Sequence, residues 1–261
     1  MVRRAVTALF FVFLFAGWEV AARQGWISTL LFPAPLDVLM YFKEDFFGRD
    51  GGAAPLELAK ATWVTGSRLV QGYALGLLIG IPAGLFCGRF EIVRSTIGQI
   101  SLLLQTLPSV CWVPLSLLWF GQKEEAILFI VIMGTVWSII VATQDGVRGI
   151  PPLYLRAAAT MGSKGLHLWT RVVLPAAFPA IVGGMKQGWA FAWRSLMAGE
   201  IYVTILTGFG LGSLLHFGRE LHNMAQVVGV MLTIMLVGLL ADRTLFSPIE
   251  RALRRRWGLD R

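Results

Sequence analysis

The chain is poor in the residues that enzymes use to hold metals or move protons. Its histidines, His167, His216 and His222, are isolated and do not share a metal-ligand spacing. Its cysteines, Cys87 and Cys111, both fall in apolar stretches and read as small buried hydrophobes, not as a metal pair. There is no phosphate-cradling G-x-x-x-x-G-K-[ST] loop, no G-x-S-x-G, no H-E-x-x-H and no dinucleotide fingerprint. A non-catalytic chain without a cofactor is therefore expected. Charge is also scarce: 15% of residues are Asp, Glu, Lys or Arg, against about 25% in a soluble domain. Acid is the scarcer sign, with 15 Asp and Glu against 23 Lys and Arg, for a net charge of +8. The basic excess gathers at the ends of apolar segments and forms no stripe with interleaved aromatics, which argues against nucleic acid as a partner.

What the chain has in abundance is apolar surface. Of its 261 residues 56% are hydrophobic, and the mean hydropathy is +0.68. Apolar segments at 5–22, 64–88, 96–120, 126–143, 180–199 and 224–240 each approach the ~20 residues that a bilayer requires. An all-α polytopic membrane bundle of about six transmembrane helices follows. Basic residues fall on alternate connections, which places both termini in the cytoplasm. The first segment follows Arg3 and Arg4, exceeds the apolar core of a cleaved leader and lacks a small-x-small site, so it reads as an anchor. The expected organisation is one transmembrane domain over 1–261: anchor and interfacial helix in 1–60, core in 61–245, an intracellular loop at 151–179 and a basic tail at 246–261.

Local signals refine this outline. Glu19 is placed to reach water or to pair with Arg23 one turn on. Phe32-Pro33-Ala34-Pro35 is extended, and Leu36 to Phe47 segregates its apolar residues as an interfacial helix would. A flexible break is expected at Gly48 to Gly52. Gly72, Gly76, Gly80, Gly84 and Gly88 recur every four residues and predict close approach of a neighbouring helix. Pro82 predicts a kink, and Arg68 is either a snorkelling cation at a span end or a pore-mouth charge, the former being the usual state of a long basic side chain there. Pro108 and Pro114 interrupt one apolar segment, which is tolerated where protein or a water-filled cavity surrounds the freed carbonyls. The 180–199 segment carries Lys186, Gln187, Trp189, Trp193 and Arg194, followed by Glu200. Such groups face a cavity or one another, and two readings stay open. Either Trp193, Arg194 and Glu200, with Trp112, line a solute path, or Lys186 snorkels and Arg194 pairs with Glu200.

The 151–179 stretch is the main polar interruption. Tyr154 to Met161 suits a short helix, Gly162 frees a turn, and Leu166 to Val173 forms a second amphipathic run expected to stop at Leu174-Pro175. Here the sequence resembles the permease subunits of bacterial ABC importers, whose loop reads E-A-A-x3-G-x9-I-x-L-P. Ala157, Ala158, Gly162, Val172, Leu174 and Pro175 keep that spacing, and Arg156 replaces the usual Glu. The string from Pro108 through Trp112, Pro114 and Leu115 to Trp119-Phe120-Gly121 is similar to the nitrate/sulfonate/taurine/bicarbonate branch. Ala198, Glu200 and Gly210-Leu211-Gly212 match a further family element.

The resemblance implies a MetI-like fold and a subunit of an ATP-driven importer for a small anion in the bacterial inner membrane. It implies that Arg156, Ala157, Ala158, Gly162, Leu174 and Pro175 form a coupling segment. The implied partners are a dimer of ATP-binding cassette subunits, which would hold ATP and magnesium, and a periplasmic or lipid-tethered solute-binding protein. No internal repeat is visible, so a second permease chain, in a homodimer among the membrane lipids, is expected to complete the path. The alternative is a secondary transporter or another polytopic protein without an ATPase, but ionisable groups concentrated on one span match that poorly.

Overall fold

The computed structural model describes residues 2–26, 28, 32–48, 55–205 and 208–257. Most of the Gly48 to Gly52 break, and the side chains of Arg3, Arg4, Arg254 and Arg256, lie outside the described residues. The helices are α1 (Val2–Arg23), α2 (Pro35–Phe47), α3 (Glu57–Arg89), α4 (Glu91–Gln105) and α5 (Ser109–Phe120). They continue with α6 (Glu124–Arg148), α7 (Pro152–Thr160), α8 (Gly165–Tyr202), α9 (Leu211–Glu220), α10 (Met224–Ala241) and α11 (Ser247–Trp257). Among the described residues four helices are long and apolar enough to cross a membrane, and the bent pair α4 and α5 makes up to a fifth. The 22-residue α1, at about 1.5 Å per residue, is long enough for the remaining crossing.

The chain divides into two compact units, 1–65 with 206–239 and 66–205 with 240–261. In the first, helix ends are tied by side chains distant in sequence. The buried Asp45 carboxylate accepts the Glu57 N–H at 2.8 Å and the Leu58 N–H at 3.4 Å, capping α3 from outside that helix. Thr65 accepts the Leu211 N–H at 2.8 Å, at the start of α9. Glu19 pairs with Arg23 at 2.6 Å and also accepts the Leu36 N–H at 3.1 Å. The α2 helix buries Val38 and Asp45 and leaves Leu36, Leu39, Met40 and Phe47 exposed, the apolar face an interfacial helix presents to lipid.

The second unit is organised around α6, whose Ile127, Ile130, Val131, Ile139 and Ile140 are almost fully buried. The glycine stripe of α3 lies against it. A Cβ at Gly72, Gly76, Gly80, Gly84 or Gly88 would meet Val131, Thr135, Ile139, Thr143 or Val147 respectively, at 2.5 to 2.9 Å. Both rows advance by four in the same order, so α3 and α6 run parallel. Parallel neighbours joined in sequence require the chain between them to return across the membrane. The α4–α5 pair, bent by 107°, is therefore one broken crossing. Small residues also bring α8 onto α6: Gly146 meets Ala180, Gly184 meets Ala142 and Gly188 meets Ile139, in opposing order, so these two helices are antiparallel.

Several expectations are corrected. The run from Leu166 does not stop at Pro175: α8 continues unbroken from Gly165 to Tyr202. A π-turn at Trp169–Val173 widens the helix just ahead of the proline, so its missing N–H and its ring are accommodated. The same device, Asp242–Phe246, precedes Pro248 and joins α10 to α11. Arg68 does not snorkel. It is 4% exposed and donates through Nε and Nη2 to Glu124, at 2.7 and 2.5 Å, and through Nη1 to Glu200 at 2.9 Å. Cys87 is buried as expected, but Cys111 is exposed beside the elbow of the broken span. Lys186 is held at 3.2 Å by both Asp242 and Glu250.

Candidate coupling segment and solute cavity

The loop after α6 becomes a short helix because Pro152 stands in the first turn, where a missing N–H costs nothing, and alanines follow. It ends at Gly162, whose φ of +80° is a conformation L side chains rarely adopt. There the Gly162 N–H reaches the Ala159 carbonyl at 3.0 Å, and the Ser163 N–H reaches that of Ala158 at 2.9 Å. Ala158 faces inward at 2% exposure, whereas Arg156 and Ala157 are exposed. Leu153, Tyr154, Met161 and Leu166 are also exposed, at 70%, 53%, 81% and 80%. This helical knob thus displays large apolar side chains from α7 and from the first turn of α8.

The knob is rooted firmly. Ile150, Val173, Ala177 and Ile181 form a buried cluster with Leu168, Trp169 and Leu85 packed against it. The Arg89 guanidinium sits 5.3 Å over the Trp169 ring, joining the end of α3 to the start of α8. Leu174 is half-buried and Pro175 exposed, both in the first turn of the regular helix that follows the π-turn.

A polar cavity of about 230 Å³ lies beside the elbow of the broken span. Leu104 to Ser109 form one wall, with Met133, Gly134 and Trp137 of α6 and Phe191, Arg194 and Ser195 of α8. Arg194 is the charged residue of this lining. Its Nε donates to the Ala190 carbonyl at 3.0 Å, and its guanidinium lies 4.9 Å from the Phe191 ring centroid. It does not pair with Glu200, which is 1% exposed and bound to Arg68. Trp112 and Trp193 pack against the core around Ile127 and Ile130, and Trp112 meets Phe129 edge-on at 6.3 Å. The structure thus separates the four residues named from sequence: Arg194 faces the cavity, and Trp112, Trp193 and Glu200 are not part of its lining. Sequence reasoning passed over Gln105, Trp137 and Ser195. An amide in an otherwise apolar segment was the available signal for Gln105; the other two are identified only by how α6 meets α8.

An all-helical, multi-pass protein with a broken crossing, a polar cavity beside the break and an apolar knob at one end has the build of a transport permease. The family model described as "Binding-protein-dependent transport system inner membrane component" matches residues 80–247, and the chain belongs to that family. It is similar to an ABC transporter permease protein of Methanocaldococcus jannaschii, 35% identical over 184 residues, which cover 70% of this chain and 68% of that protein. It is also similar to the bicarbonate transport system permease protein CmpB of Synechococcus elongatus, at 28% over 235 residues, 87% of this chain and 81% of that one. The aliphatic sulfonates transport permease protein SsuC of Escherichia coli is 30% identical over 227 residues, 87% of this chain and 82% of that one. In fold it resembles a chain of the MetNI methionine ABC transporter captured inward facing, with a TM-score of 0.65 at 19% identity over 77% of this chain and 99% of that one. The chain is therefore a multi-pass inner-membrane permease of the ABC importer class with a MetI-like fold.

Proposed function

We propose that this permease carries a small anion, that its path includes Arg194, and that it is driven through α7 by ATP hydrolysis on a separate subunit. The observation that supports the anion is the lining of the cavity: a guanidinium with no carboxylate beside it. Glu200, which would have opposed a positive path, is bound to Arg68 and is not part of the cavity lining, and Lys186 is held by Asp242 and Glu250. Two of the relatives are named for the transport of anions, bicarbonate and aliphatic sulfonates. Trp112, Trp193 and Glu200 act on the path from behind, by supporting the helices that carry it.

The exposed apolar residues of the knob support docking onto ATP-binding subunits, which hold ATP and magnesium; this chain needs neither. Arg156, Ala157, Ala158, Gly162, Leu174 and Pro175 shape that contact, and Arg156 adds a positive charge where the relatives of the sequence motif carry Glu. A second copy of the chain completes the path within the lipid, a solute-binding protein delivers cargo on the outer face, and both termini lie in the cytoplasm.

Two measurements test this reading on the reconstituted importer. Gly162→Val forces a β-branched residue to φ +80°, and Ala158→Phe fills a buried position. Each is expected to lower uptake at least tenfold while the permease still inserts and extracts normally; wild-type uptake in both would remove α7 from coupling. Arg194→Ala is expected to lower anion-stimulated ATP hydrolysis about tenfold, the scale of one lost charge-assisted contact. Unchanged stimulation would take Arg194 off the path.

A further inference from the structure

We infer that the groove between the end of α3 and the start of α8 binds an anionic phospholipid, with the headgroup phosphate on Arg89 and an acyl chain along Phe86, Leu85 and Pro82. This goes beyond the anion path and does not depend on Arg194.

A cavity of about 490 Å³ lies at this place. Pro82, Leu85, Phe86 and Phe90 line it on one side, and Leu166, Trp169 and Leu174 on the other. Arg89 is the charged residue of the lining, which contains no carboxylate. It is also the last residue of α3, a helix long and apolar enough to cross a membrane. Phe86, Leu85 and Pro82 precede it by three, four and seven positions, so they follow it down one helix face over roughly 10 Å. The groove thus has a cation where the span ends and apolar walls running back along the span. Phe86 and Phe90 are 58% and 49% exposed, so the groove opens to the surroundings of the helix.

The Arg89 guanidinium is poised for a phosphate. It lies 5.3 Å over the Trp169 ring and 5.8 Å over the Phe90 ring. The rings hold it by charge and not by hydrogen bonds, so its N–H donors are not consumed. Among the described residues those donors meet no acceptor, and the guanidinium pairs with no carboxylate. A planar fork of free donors matches the oxygens of a phosphate. Basic pockets between spans at the membrane surface collect anionic headgroups, and an acyl chain supplies the apolar area that a soluble phosphate lacks. Leu85 and Trp169 also pack against the buried cluster that roots the knob, so the occupant touches that root.

The test uses the full chain in phosphatidylcholine nanodiscs and the fluorescence of Trp169, taken as the difference between wild type and Trp169→Phe. Phosphatidylglycerol or phosphatidylcholine, each brominated near the carboxyl end of its chain, is added at equal mole fraction. The brominated phosphatidylglycerol is expected to quench Trp169 about three- to fivefold more, the enrichment that one basic side chain gives. Arg89→Gln should remove this excess and Arg89→Lys should keep most of it. Thr170→Phe, at an exposed position of the lining, should remove it by filling the groove. Arg148→Gln, a basic residue at the end of another span, should leave it unchanged. Equal quenching by the two lipids in wild type would overturn the site, as would an excess that survives both Arg89→Gln and Thr170→Phe. Loss of the excess in Arg148→Gln as well would reduce it to diffuse surface charge and overturn the site. Loss on adding sodium glycerophosphate at constant ionic strength would assign the groove to a soluble phosphate instead. Absence of Trp169 quenching by either lipid would show the groove covered by protein, a second copy included, and would also overturn the inference.

Discussion

Replacing Gly84 by leucine is expected to prevent the second unit from closing and to leave little protein that survives detergent extraction. A Cβ at this position would stand 2.5 Å from Thr143 Cβ and 2.8 Å from the Ile140 carbonyl oxygen. The obstruction includes backbone, which cannot rotate away, so α3 must move off α6 along its length. Overpacking a core commonly costs about 1–3 kcal/mol. Here the cost lies at or above the top of that range, because the neighbouring glycine contacts are lost with it. Gly183, in α8, meets nothing within 4 Å, so Gly183→Leu provides the control. Monodisperse yield and thermal midpoint after extraction should fall sharply for Gly84→Leu and hold for Gly183→Leu. A Gly84→Leu protein as heat-stable as wild type would show that the α3–α6 contact does not bear on stability.

The second large effect is expected at Arg68. Removing its side chain takes the guanidinium away from Glu200, a carboxylate that is 1% exposed. Breaking a buried pair from one side typically costs about 3–5 kcal/mol, whereas replacing both members by apolar groups is often close to neutral. Arg68→Ala should therefore lower the thermal midpoint markedly, and Arg68→Met with Glu200→Leu should recover most of it. Glu200→Gln alone should cost less, because Arg68 keeps Glu124 at 2.5 Å. The coupling in this cycle is the measurement. Additive effects would mean that the two side chains stabilise the protein independently.

The helices and their crowding were legible in the residues because both follow short-range periodicity. A four-residue glycine step can have only one meaning on a helix face, and the structure places Val131, Thr135, Ile139, Thr143 and Val147 opposite it. What periodicity does not carry is direction, so the parallel run of α3 and α6, and the single broken crossing it requires, appear only in three dimensions. Pro175 was misread because proline forbids the ordinary i−4 bond but not the wider π-turn before it. Arg68 was misread because a basic side chain near a span end usually escapes to the interface, and its partners lie 56 and 132 residues away. Asp45, capping α3 from another helix, left no local signature for the same reason. The cavity was half visible: Arg194 stood out as an ion in an apolar segment, while Trp137 and Ser195 look like ordinary core residues until α6 and α8 meet.

The uninterrupted course of α8 has a mechanical consequence. Leu166, exposed at the knob, and Arg194, at the cavity, sit on one continuous helix 28 positions apart, or roughly 42 Å at 1.5 Å per residue, with the π-turn at Trp169–Val173 between them. A tilt of about 5° pivoting at the knob would sweep the guanidinium through roughly 4 Å, more than the reach of a hydrogen bond. A push taken up at the knob, as proposed above, would therefore reach the guanidinium along the backbone of one helix, with no relay of side chains between them.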